Sequence, residues 1–253
     1  MRKTLAVVIV AVIVLATSCV SIIEELTLNS DGSGTYTYKI DMSALIESGV
    51  MVQARQMSED VPEDALEVDT VMGAYDMLKE NGMLADMDEP DFWKKVRLVS
   101  IISESRGIGE ISFILDFDDI SEVGYFSQNL GKLLESDETA GMLSSMGLTN
   151  SGMVTPIAYK KGLFGSSLTR KSEDSEVNEM AEMLEEDGGE MVKMMLSGAE
   201  YITIYNLPGE VKKVSHDDAK VSNGGKTVTI SADLLDQMEG KADLSTTIKF
   251  KNK

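Results

Sequence analysis

The chain is poor in cysteine and histidine. Its 253 residues include one cysteine, Cys19, and one histidine, His216. A single cysteine excludes an internal disulfide, and a structural zinc site takes four ligands that are mostly cysteine and histidine. We therefore expect no disulfide framework, no metal site and no cofactor.

Basic residues are scarce relative to acidic ones. The chain has 23 lysines and arginines against 43 aspartates and glutamates, which gives a net charge of −20 at neutral pH. Such a charge repels the phosphates of nucleic acids and of anionic lipids. We expect no nucleic-acid partner, and the simplest explanation of the acidity is solubility.

The apolar run near the N-terminus is too short to cross a membrane. It covers residues 5–16, whereas a membrane-spanning helix needs roughly 20 apolar residues. Arg2 and Lys3 precede this run, and the small residues 16–18 separate it from Cys19. A basic start, a short apolar segment and small residues before a cleavage point are the three parts of a secretory signal peptide.

The end of this signal resembles a lipobox, the bacterial lipoprotein signal in which a small residue precedes an invariant cysteine. Thr17 and Ser18 are of the small types, whereas Ala16 stands where the family prefers leucine. The resemblance implies that residues 1–18 are removed and that Cys19 carries acyl chains, which anchor the protein outside the cytoplasm to the cell membrane or the outer membrane. The alternative is an ordinary signal peptide with an incidental Cys19, although a lone cysteine in an exported protein needs an explanation.

One pattern occurs three times along the chain: two segments of alternating polarity flank a glycine-containing turn, and a helical pattern comes next. The turns lie at residues 31–34, 106–109 and 162–165. The helical patterns lie at about 43–57, 118–135 and 174–197. Alternation is typical of half-buried strands, and a period of 3.6 is typical of amphipathic helices. The pattern therefore predicts recurring ββα units.

These units predict an α+β fold. Isolated two-stranded hairpins are only marginally stable, so we expect them to join into one antiparallel sheet with helices packed on one face. Residues 200–250 contribute further strand patterns. Residues 19–253 are expected to form a single extracytoplasmic domain, and a subdivision near 141–152 stays open.

The two ends of the mature chain resemble LppM-type bacterial lipoprotein domains. The similar segments are 25–40, with its hairpin, and 199–250, with a Pro-Gly-Glu-Val turn and an Asn-Gly-Gly turn. The resemblance implies a non-catalytic envelope domain, leaves lipid contact open as a role for it, and transfers no catalytic residues. The chain ends at Lys253 without the C-terminal membrane helix common in that family, which implies anchoring by the N-terminal lipid alone.

Few residues suggest chemistry. His216 lies beside Asp217 and Asp218, a combination that serves elsewhere as a general base or metal ligand. A solvated turn is the simpler interpretation, because the sequence contains no G-x-S-x-G, no H-E-x-x-H and no phosphate-binding glycine loop with lysine. Clustered carboxylates at 116–126 lack the glycine of a calcium loop, since Ser121 takes that position, and a helix cap is the alternative. We predict that the protein is not an enzyme.

Methionine is unusually frequent, with 17 residues in the chain. Five lie in the predicted helix at about 174–198, where Met180, Met191 and Met195 recur at helical spacing. Thioethers bind Cu(I), but no histidine joins this cluster, and methionine stripes usually pack in cores or line adaptable apolar grooves. Whether this stripe is core or binding surface stays open at this point.

Together these features predict a membrane-anchored, extracytoplasmic lipoprotein without enzymatic activity. Its membrane contact is the lipid on Cys19, and its role is that of a structural or protein-interaction module with an envelope protein as partner. The alternative is a module that binds a lipid or another apolar ligand in a methionine-lined groove.

Overall fold

The computed structural model describes residues 20–49, 67–134, 157–162, 165–171, 193 and 196–252. The strands are β1 (Ser21–Leu28), β2 (Gly34–Asp41), β3 (Glu67–Gly73), β4 (Val96–Ser103), β5 (Ile108–Phe117), β6 (Ile157–Gly162), β7 (Gly165–Arg170), β8 (Glu200–Asn206), β9 (Val211–Val214), β10 (Lys220–Ser222), β11 (Thr227–Asp233) and β12 (Thr246–Phe250). The α-helices are α1 (Ser43–Glu47), α2 (Ala74–Glu80), α3 (Ser121–Leu134) and α4 (Leu234–Met238), and short 3-10 helices lie at Leu84–Asp86, Pro90–Lys95 and Asn223–Gly225.

Three predicted features lie outside the described residues. They are the signal peptide with Cys19, the segment near 141–152 where a subdivision was considered, and most of the methionine-rich helix predicted at 174–198. These stay predictions from the sequence.

The first sheet has eight strands in the order β10-β11-β8-β1-β2-β5-β4-β3. Neighbouring strands are antiparallel, except that β1 and β8 run parallel. The hairpins β1–β2 and β4–β5 confirm the turns predicted at 31–34 and 106–109. The parallel pair was not predicted, because it joins segments at opposite ends of the chain.

The second sheet has four antiparallel strands in the order β6-β7-β12-β9. The third predicted hairpin does form, as β6–β7, but it belongs to this second sheet. The fold is therefore α+β with two mainly antiparallel sheets, and the expectation that all hairpins join one sheet was wrong. The physical reason is that Leu168 and Ile248 on the inward side of the second sheet are fully buried, so this sheet covers a core as the helices do.

The ββα repeat is not confirmed. The helix after β2 spans only Ser43–Glu47 within the described residues, whereas the helix after β5 runs from Ser121 to Leu134 as predicted. Val123, Phe126, Leu130 and Leu133 form the buried stripe of α3. The segment between β7 and β8, where the third helix was predicted, lies mostly outside the described residues.

Alternation along the central strands builds the core. Ile22, Leu26, Tyr36, Tyr38 and Ile40 all point to the inward face of the first sheet and are almost fully buried. Large aromatic side chains bury extensive apolar area, and their packing dominates the energetics of such interiors.

Gly34 allows the closest approach between the two strands of the first hairpin. A Cβ atom at this position would lie 2.0 Å from the carbonyl oxygen of Thr27 and 2.6 Å from Cζ of Phe117. Neither distance is compatible with a side chain, because one neighbour is backbone and the other is a ring held in the core. Gly124 in α3 is the opposite case, since nothing lies within 4 Å of its Cβ position.

We predict opposite effects of alanine at these two glycines. Gly34→Ala should destabilise the domain by about 2 kcal/mol or more, because overpacking a tight site forces the backbone to shift. Gly124→Ala should stabilise it by up to about 1 kcal/mol through helix propensity. Urea denaturation measures both, and equal stability of Gly34→Ala and the parent would contradict the register of β1 and β2.

Candidate functional site

His216 stabilises a turn in the loop after β9. Its Nε2 lies 3.0 Å from the carbonyl oxygen of Asp243, and its Nδ1 accepts a hydrogen bond from the backbone N–H of Asp218 at 3.2 Å. An accepting Nδ1 places the proton on Nε2, which then donates to Asp243. Both ring nitrogens are therefore engaged with backbone groups, which agrees with the turn interpretation of this residue.

Two of the carboxylates at 116–126, those of Asp119 and Glu122, cap the N-terminus of α3, whereas Asp116 lies on β5 and pairs with Arg97. Asp119 Oδ1 accepts hydrogen bonds from the backbone N–H and the hydroxyl of Ser121, and Glu122 accepts from the backbone N–H groups of Asp118 and Asp119. The hydroxyl of Ser121, followed by its N–H, lowers the pKa of Asp119. This arrangement satisfies free N–H groups at the start of α3 and confirms the cap interpretation.

Two kinds of feature are absent from the described residues. No group of three or more His, Cys, Asp or Glu side chains in these ranges is arranged to hold a metal ion. None of the helices described has the length and hydropathy that crossing a bilayer requires.

The described residues begin at Val20, directly after Cys19 in the sequence. Val20, the first described residue, is 2% exposed, and β1 starts at Ser21. β1 lies in the interior of the first sheet, hydrogen-bonded to β2 on one side and to β8 on the other. The residue predicted to carry lipid is therefore covalently joined to a central strand with no linker between them.

A buried ion pair joins the two sheets. Glu24 on β1 is 2% exposed and Arg170 on β7 is 1% exposed. Arg170 donates to both carboxylate oxygens of Glu24, at 2.5 Å and 3.3 Å, and the hydroxyl of Tyr201 on β8 donates to the same carboxylate. A bidentate arginine–carboxylate pair has a fixed geometry, so it sets how β7 lies across β1.

Tyrosines surround this pair. Tyr38 is opposite Glu24 in the β1–β2 register, and the Arg170 guanidinium lies 5.8 Å from the centre of the Tyr201 ring. Burial is the main cause that raises the pKa of Tyr38 and of Tyr201, and the negative charge of Glu24 raises both further. Burial alone would lower the pKa of Arg170, but Glu24, Tyr205 and Tyr201 together raise it above its usual value, so the guanidinium stays charged. The space between the sheets here is filled by a charged and hydrogen-bonded cluster.

The outward side of the second sheet carries a row of lysines. The four strands of this sheet contain six basic residues and no acidic residue. Lys160, Ser167, Lys249 and Lys213 are opposite one another on four adjacent strands, and the three lysines are exposed. We call these four residues the lysine row. No carboxylate in the described residues lies within ion-pair distance of its three lysines.

An open groove lies beside α2. It is wide open to solvent and has a volume of about 470 Å³. Its lining consists of Tyr75, Gly82, Leu84, Ala85 and Pro90, together with the two charged residues Lys79 and Asp91. This volume lies within the usual range for small-molecule sites, which are mainly apolar with a few polar groups.

Comparisons with known proteins give one structural match. No protein-family model matches the chain, and no curated protein matches it in sequence. Among solved structures, the folded domain of the Mycobacterium tuberculosis LppM protein, determined by NMR, is similar with a TM-score of 0.41 and 8% identity, over 92% of this chain and 90% of that chain. A similarity this weak does not indicate a shared fold or a shared function.

Sequence reasoning missed both the ion pair and the lysine row. Glu24 occupies an inward position between Ile22 and Leu26, and a charged residue at such a position signals a buried partner. Arg170 likewise continues the alternation of Ser166 and Leu168. The lysine row had no signal of its own, because its members are brought together only by strand register.

We predict strong coupling between Glu24 and Arg170. Glu24→Leu and Arg170→Met should each destabilise the domain by about 3–5 kcal/mol, because each leaves a buried charge without its counter-charge. The double variant should recover most of that loss, since an apolar pair of similar volume can replace a buried ion pair. Urea denaturation of all four proteins gives the coupling energy.

Arg97→Met is the matched control for this cycle. Arg97 pairs with Asp116 on the sheet surface, where the two side chains are 49% and 58% exposed. Exposed pairs contribute about 1 kcal/mol or less, so this variant should lose little stability. Additive losses in the Glu24/Arg170 cycle would show that the two residues do not interact as a pair.

Proposed function

We propose that the protein is a lipid-anchored, extracytoplasmic module of the cell envelope that acts by binding and not by catalysis. The observation that carries this proposal is the position of Val20, buried at the start of a central strand directly after Cys19. An acyl group on Cys19 would hold the domain against the membrane without a flexible tether. Two or more acyl chains give durable anchoring, whereas one gives only marginal binding.

A structural or protein-interaction role fits the described surfaces best. The net charge of the chain is −20, so acidic residues predominate. Complementary charge between surfaces speeds association and excludes wrong partners. An envelope protein with a basic surface, held at the same membrane, is the partner that this charge favours.

The groove beside α2 favours a second candidate function, the binding of a lipid or another apolar ligand. Tyr75, Leu84 and Pro90 offer apolar walls, and Lys79 offers a cation for an acidic group. This candidate needs no catalytic residue and is compatible with anchoring through Cys19.

The anchoring proposal predicts the form of the mature protein. Mass spectrometry of protein purified from its native membrane should show an N-terminus at Cys19 that carries acyl chains. Cys19→Ser should release the protein from the membrane or block its processing, whereas Ser21→Cys in that background should not restore anchoring, because the signal requires its position. Recovery of unmodified wild-type protein in the soluble fraction would contradict the proposal.

The second candidate predicts a ligand that copurifies with the protein. Native mass spectrometry after mild extraction should show an added small molecule, and Ala85→Trp should remove it by filling the groove. Ala158→Trp, an equal change at an exposed alanine of β6, should leave it bound. Loss of the adduct in both variants, or in neither, would place the ligand elsewhere.

A further inference from the structure

We propose that the lysine row docks the domain onto the phosphate headgroups of the membrane that anchors it. The contact would be made by Lys160, Lys249 and Lys213 and by the hydroxyl of Ser167, all on the outward side of the second sheet. This inference rests on the proposed function, since it takes the membrane at Cys19 as the surface within reach.

The arrangement of the row indicates an external counter-charge. Lys249 and Lys213 are directly opposite each other on neighbouring strands, and Lys160 lies two strands away across Ser167. Neighbouring strands are about 4.8 Å apart, so these ammonium groups repel one another, and like charges at opposite positions destabilise a sheet. Among the described residues, no carboxylate forms an ion pair with these three lysines.

The chemistry of the face selects phosphate. Next to the lysine row, Thr169, Thr247 and Ser215 form a parallel row, with Ser215 hydrogen-bonded to Thr247 through both backbone and side chain. Hydroxyl and ammonium groups are donors that suit phosphate oxygens. None of the residues described in these two rows is aromatic, so this face cannot stack nucleic-acid bases.

The negative charge beside the start of β1 favours a membrane as the source of those phosphates. Asp41 and Glu200 flank Ser21, and Glu110 and Asp233 are next to them in register. Lys39 pairs with Asp41 and Glu110, so four carboxylates stand against one ammonium group and the cluster stays acidic. Anionic headgroups near the anchor repel this acidic end and attract the lysine row. A domain fixed at Cys19 therefore lowers its electrostatic free energy by tilting the second sheet toward the membrane.

Vesicle binding tests this proposal without the lipid. The chain from residue 19 onward, with Cys19→Ser, is mixed with vesicles of phosphatidylcholine alone or with about 30% phosphatidylglycerol, at low and high salt. We expect cosedimentation only with the anionic vesicles and its loss at high salt. The triple variant Lys160→Gln, Lys213→Gln, Lys249→Gln should bind on the order of 100-fold more weakly.

The control removes three positive charges elsewhere. Arg106→Gln, Lys132→Gln and Lys220→Gln change the net charge equally at exposed positions on other elements, so this variant should keep its vesicle binding. Circular dichroism melts of both triple variants report whether each is folded. In the protein that carries the lipid on Cys19, the three lysines of the row should also react more slowly with an amine-labelling reagent when the vesicle is anionic.

Three outcomes would overturn the proposal. They are equal binding to both vesicle types, equal loss in the two triple variants, and binding to soluble polyphosphate that depends on the row without any vesicle binding. The third outcome would show that this face binds a phosphate polymer and not a membrane. An absence of acyl chains on Cys19 would instead refute the proposed function, and it would leave the vesicle result standing, because the tested chain carries no lipid.

Discussion

The relative position of the two sheets depends on the buried contact between Glu24 and Arg170. Two opposite charges removed from water must face each other with good geometry, since either one alone would be strongly unfavourable. This requirement fixes β7 against β1 and leaves few alternative arrangements of the second sheet. Because alternate residues of a strand face opposite sides, an inward Arg170 also directs Ser167 outward, and with it the lysines on the neighbouring strands.

The net charge of the chain is a poor guide to its surface. An excess of twenty negative charges coexists with four strands that contain basic residues and no acidic ones. Asp41, Glu110, Glu200 and Asp233, in contrast, lie together beside the start of β1 in the first sheet. Charge separation of this kind gives the domain an electric dipole moment. A dipole moment has its largest effect on orientation when a protein is held at a charged interface.

Local features were predictable from the sequence, and long-range ones were not. The hairpins β1–β2, β4–β5 and β6–β7 and the helix α3 result from turn residues and periodicity within short segments. The pairing of β1 with β8 and of Glu24 with Arg170 joins residues about 146 or more positions apart, and no local pattern encodes such partners. For the same reason the helix cap at Asp119 was foreseen, whereas the lysine row required the register of three separate strand pairs.

The central place of β1 has a mechanical consequence for a protein attached through its N-terminus. A pull on Cys19 is transmitted along the axis of β1, which is hydrogen-bonded to neighbours on both sides over nearly its full length. The two ladders would therefore be loaded in shear, so that many hydrogen bonds resist at once, and not one after another as in the peeling of an edge strand. If Cys19 carries the proposed lipid, this topology would give the attachment point high resistance to tension.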